Sequence, residues 1–71
     1  LTYREARELE RMEHSIAAAE AELRQKAAAL SLPEIAADGA RLHSASLELE
    51  QAQKTVDDLY SRWAELEAKL A

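Results

Sequence analysis

The chain has 71 residues, a net charge of −5, one Gly, one Pro and no Cys. That length holds one small domain or a fragment of a larger protein, with little buried core. The missing cysteines exclude disulfides, thiolate metal sites and cysteine nucleophiles, and the acid excess argues against a surface given over to phosphate binding.

Many Ala, Leu, Glu and Arg residues and no Phe make the composition that of long helices. The first helix begins near residue 3. Thr2 can cap it, with Glu5 three positions on to close a capping box. From there Leu9, Met12, Ile16, Ala19, Leu23 and Leu30 recur at alternating threes and fours. Lys26 is the one polar residue on that seam, and its stem can lie along the stripe while the ammonium reaches water. The helix is expected over residues 3–30. Ser31-Leu32-Pro33 ends it, because proline lacks an amide donor and pushes the residue before it out of helical angles. Residues 33–37 can form one short turn with Pro33 first, and Leu32 and Ile35 are expected to cap the open end of the seam. Asp38-Gly39 is a turn or cap signal, with a second helix from about residue 40 to 70.

That second helix carries the clearest pattern in the chain. Leu42, Ala45, Leu49, Ala52, Val56, Leu59, Trp63, Leu66 and Leu70 form an a/d stripe through four heptads, with mostly polar residues between. A tip of residues 31–39 is short enough to make the two helices antiparallel neighbours. The expected fold is therefore all-α, an antiparallel two-helix coiled-coil hairpin with a Pro-containing tip. One register pairs Met12 with Trp63, Ile16 with Leu59, Ala19 with Val56, Leu23 with Ala52 and Leu30 with Ala45; a register one heptad away remains open. Two narrow stripes could also pair between chains, so self-association is a further expectation. No apolar run approaches the roughly 18 residues of a membrane span and no signal-peptide pattern opens the chain, which fits a cytoplasmic protein.

Three segments, in order and spacing, resemble one family across essentially the whole chain. Leu1-Thr2-Tyr3-Arg4-Glu5-Ala6-Arg7-Glu8-Leu9-Glu10 resembles the LSYKEQRELE opening of the C-terminal domain of bacterial ABC-F ATPases of the Uup type. Leu30-Ser31-Leu32-Pro33-Glu34 resembles its LSDPELY tip, and Tyr60-Ser61-Arg62-Trp63-Ala64-Glu65-Leu66-Glu67 its closing YERWEELE. The chain departs from the pattern at Met12-Glu13, where the family often has Leu-Pro, and at the tip, which lacks the Asp before Pro33 and the aromatic residue after it. The resemblance implies a coiled-coil arm at the C-terminal end of a longer, soluble ABC protein with two ATP-binding cassettes. Within that family the arm is a DNA-binding element, and related ABC-F proteins act on the ribosome. DNA or RNA and the ATPase core of the same polypeptide are thus the implied partners, and ATP belongs to that core. Opening on Leu1 rather than Met fits a piece of a longer protein. The chain itself has no glycine-rich loop before a Lys-Ser/Thr pair.

The candidate nucleic-acid-binding residues are Arg4, Arg7 and Arg11, with His14 continuing their stripe, and Arg62 and Lys69 near the same end of an antiparallel pair. The plainer reading is a solvated face whose arginines pair with Glu8, Glu10 and other neighbours, each pair adding a few tenths of a kcal/mol. Glu5, Glu8, Glu10 and Glu13 interleave with the arginines and weaken their long-range field. Trp63 and Tyr60 have faces on which bases can stack, but Trp63 falls on the seam, where core packing is the expectation. Tyr3 is expected to pack against the end of the second helix near Leu66 or Leu70. His14 and His43 should lie near opposite ends, too far apart to share a metal. Asp57-Asp58 and the glutamates come with no nucleophile and no pocket, so no catalytic residue and no enzyme activity are expected of this chain.

Overall fold

Thr2 sets where the first helix begins. Its backbone is extended, its hydroxyl accepts from the Glu5 amide at 3.1 Å, and its own amide donates to the Glu5 carboxylate at 3.0 Å. The capping box thus satisfies two donors that a bare helix end would leave to water. The computed structural model describes residues 1–70, in which α1 spans Tyr3–Ala29, α2 Pro33–Ala36 and α3 Gly39–Ala68. Leu32, before the proline, is extended at φ −70° and ψ 130°, so the chain leaves the axis of α1 there.

Asp38 starts the return. One of its carboxylate oxygens accepts from the amides of Ala40 at 3.0 Å and Arg41 at 3.2 Å, which caps α3. Gly39, the first residue of α3, has no positive φ, and a Cβ built on it would meet nothing within 4 Å. Nothing in the folded chain therefore needs glycine there. Gly39→Ala is expected to stabilise the hairpin by about 0.4–1 kcal/mol, because alanine narrows the unfolded ensemble. A lower melting temperature in far-UV circular dichroism would contradict this.

The α1 and α3 helices lie antiparallel in a hairpin with overall extents of 50 × 16 × 15 Å. Its core is the expected seam. Met12, Ile16 and Leu66 are fully buried as one cluster, and Leu9, Leu59 and Trp63 pack against it. This cluster lies toward the base, beside the start of α1 and the end of α3. Toward the tip the buried residues are smaller: Ala19, Ala45, Ala52 and Val56. Two cross-helix ion pairs fix the register, Glu5–Lys69 at the base and Lys26–Glu48 at 3.6 Å toward the tip. Both fit the alignment that sets Met12 opposite Trp63. A one-heptad slip would carry each partner about 10.5 Å away.

The ends of the seam depart from expectation. Leu42 is 36% and Leu70 61% exposed, because α1 ends at Ala29, short of the level of Leu42, at one end and α3 has stopped before Leu70 at the other. At the tip only Ile35 is half-buried, while Leu32 is left exposed on the turn. Leu47 points away from α1 and is exposed.

Candidate nucleic-acid interface

The structure divides the five basic residues singled out in the sequence into two groups. Arg62 and Lys69 are spent on the hairpin itself. The Arg62 guanidinium makes a two-pronged contact with Glu8 across the interface, Nε at 2.9 Å and Nη2 at 3.0 Å, and its third nitrogen donates to Glu65 at 3.0 Å. Lys69 bonds the Glu5 carboxylate, which also lies 3.9 Å from Arg62. Both cations precede seam residues, Trp63 and Leu70, and so occupy the flanking positions from which coiled coils form interhelical ion pairs. That flanking position is the signal by which the sequence could have assigned them, and it also picks out Glu8, which precedes Leu9; Glu5, four residues before Leu9, falls on the seam line itself.

Arg4, Arg7 and Arg11 form the second group, on one exposed face of α1. Arg4 and Arg11 have no ion pair and no side-chain hydrogen bond among the described residues. Arg7 lies 3.6 Å from Glu10 and donates to the Tyr3 hydroxyl at 3.0 Å. Tyr3 does not pack on the end of α3 as expected. It opens α1, one turn from Arg7, and is 75% exposed, with its ring beside that guanidinium. Tyr3 and the three arginines border an open groove of about 640 Å³, which Glu8, Met12, Ser15 and Leu59 also line. His14 is exposed further along α1, and His43 near the start of α3.

The two tyrosine and tryptophan candidates separate as well. Trp63 is half-buried against the core. Tyr60 is exposed, its ring 6.2 Å from that of Trp63 and tilted by 33°. Partial desolvation and then the Glu20 carboxylate raise the Tyr60 hydroxyl above its ordinary value.

A family model described as "ABC transporter C-terminal domain" matches residues 1–68. The chain belongs to this family. No curated protein and no solved structure matches the chain. No helix in the described part of this ABC transporter C-terminal domain is long and apolar enough to cross a membrane.

The base of the domain is held by carboxylates whose charge the fold favours. The Lys69 ammonium, with the Thr2 amide, brings the Glu5 pKa down from 4.5 to about 2, and Arg62 lowers that of Glu8. Arg62 is held charged in turn, first by Glu8 and then by Glu65. A carboxylate depressed on folding adds stability that is complete above its unfolded pKa and is lost as pH falls toward its folded pKa. The melting temperature of the domain is therefore expected to decline between about pH 4.5 and 2. Glu5→Gln together with Glu8→Gln should lower it at neutral pH and flatten that decline. An equally steep acid limb in the double variant would remove these pairs as its source.

Proposed function

We propose that this domain is the non-catalytic C-terminal arm of an ABC-F, Uup-like ATPase, and that it contacts nucleic acid along the Arg4–Arg7–Arg11 face. The observation that carries this reading is the division of the cations. Arg62 and Lys69 are neutralised within the hairpin, whereas Arg4 and Arg11 reach solvent without a carboxylate partner among the described residues. Seven residues of helix separate Arg4 from Arg11, about 10.5 Å, so the face can follow several phosphates of a backbone. Such contact positions a domain and carries no base sequence. ATP would bind in cassettes elsewhere in the parent protein, in the cytoplasm, and the hairpin would set where that core sits on DNA or RNA.

The test is fluorescence anisotropy of labelled duplex DNA, single-stranded DNA and an RNA hairpin, titrated with the domain at low and physiological salt. Binding that weakens steeply with salt supports the proposal, and the preferred ligand chooses between DNA and a ribosomal role. Absence of binding at low salt would refute it. The function would then pass to a protein-contact or self-associating arm, a reading that the net charge of −5 and the exposed Leu47 on the outer face of α3 favour.

A further inference from the structure

The groove at the base of α1 has a feature that phosphate binding alone does not use. Tyr3 is the most exposed of the large hydrophobic side chains, and it stands at the edge of the groove, at the start of α1 and ahead of the arginine row. Its hydroxyl accepts from Arg7 at 3.0 Å while the guanidinium carbon is 5.9 Å from the ring centre. Together these distances set the guanidinium toward the hydroxyl end of the ring and leave a ring face open. The capping box beneath it fixes the first turn of the helix that carries Tyr3. Met12 and Leu59 give the groove an apolar floor, and three arginines against one glutamate, itself paired to Arg62, give it a cationic border.

We infer that this groove takes unpaired nucleotides, with one base stacked on Tyr3 and the phosphates that follow along the strand on Arg4 and Arg11. The inference rests on the nucleic-acid reading above and narrows it from any anionic backbone to a single-stranded segment. A base inside a duplex cannot offer its face to a side chain, whereas an unpaired one can, whatever its identity. The Arg4–Arg11 span of about 10.5 Å matches roughly three nucleotides of a stacked strand at about 3.4 Å each. Charge density alone favours the duplex, since its counterion release per contact exceeds that of a single strand. A preference for the single strand therefore reports stacking.

The experiment compares a labelled oligo(dT) with a blunt duplex of equal length, using the wild-type domain, Tyr3→Ala and Tyr3→Phe. The wild type is expected to bind the single strand more tightly. Tyr3→Ala should weaken that binding about 5- to 150-fold, the range for loss of one stacked base, and leave duplex binding unchanged. Tyr3→Phe keeps the ring and should keep the preference. Because Tyr3 is largely exposed, Tyr3→Ala should melt close to the wild type, which circular dichroism checks. Unchanged single-strand affinity in Tyr3→Ala would overturn the stacking role and leave the phosphate-contact reading standing. Loss of both ligands in the wild type would remove both readings. An acidic peptide that displaces oligo(dT) and binds more tightly than it does would also overturn the inference.

Discussion

Leu66→Ala is expected to unfold a large fraction of the hairpin near room temperature. Leu66 is the one large side chain with no exposed surface, and it joins Met12 and Ile16 where Leu9, Leu59 and Trp63 converge. Truncating a leucine in such a place costs about 2–5 kcal/mol, part lost transfer energy and part cavity. Small domains have a total stability near the low end of about 5–15 kcal/mol, and two helices with one stripe of contact have no second core to fall back on. Alanine is also the better helix former, so the loss cannot be assigned to helix propensity. Leu47→Ala is the control, the same change on the exposed face of α3, and it should stay within about 0.5 kcal/mol. Thermal and urea melts by circular dichroism measure both. A Leu66→Ala variant that melts with Leu47→Ala would show that the base cluster does not hold the hairpin together.

Replacing Arg4, Arg7 and Arg11 together with Glu should abolish binding of DNA or RNA at physiological salt. Three phosphate contacts imply a slope of log affinity against log salt of about −2.7 on duplex DNA, or roughly a 40-fold loss between about 50 and 200 mM salt. Removing the contacts flattens that slope as well as lowering the affinity. The charge-reversed protein also repels the backbone, so an Arg4→Gln, Arg7→Gln, Arg11→Gln variant is needed beside it to isolate the contacts themselves. Arg62→Ala supplies the contrast. It breaks the Glu8 and Glu65 pairs and should lower the melting temperature while leaving the salt slope in place. Wild-type affinity and slope in the Gln triple variant would take this face out of the mechanism.

The fold was legible because a hairpin writes its core as a period. Alternating threes and fours from Leu9 and from Leu42 gave both stripes, and the Thr2–Glu5 and Asp38 caps are local enough to read from spacing alone. What stayed hidden depends on the partner helix. Arg62 looked like a surface cation until the register brought Glu8 across to it from 54 positions away. Glu5 was readable as a cap but not as the counterion of Lys69. Tyr3 is expected near Leu66 or Leu70 from its position in the first turn of α1. Here α3 ends at Ala68, and Arg7, one turn along, offers the hydroxyl a partner in solvent. Leu42 and Leu70 fit the repeat, but a repeat in one helix buries a residue only where the other helix runs alongside.

The uneven filling of the seam has a consequence for how the arm moves. Fully buried bulk is concentrated at the base, and the far half buries only Ala19, Ala45, Ala52 and Val56 completely while Leu23, Leu30 and Leu49 stay half-buried. Local opening should therefore begin at the tip and spread inward, since the free energy of opening follows the apolar contact that must be broken. Amide hydrogens around Ile16 and Leu59 would exchange last, and those bordering α2 first. Such an arm is anchored at its root and compliant at its far end, able to adjust the angle of its tip without loosening the face that carries Arg4 and Arg11.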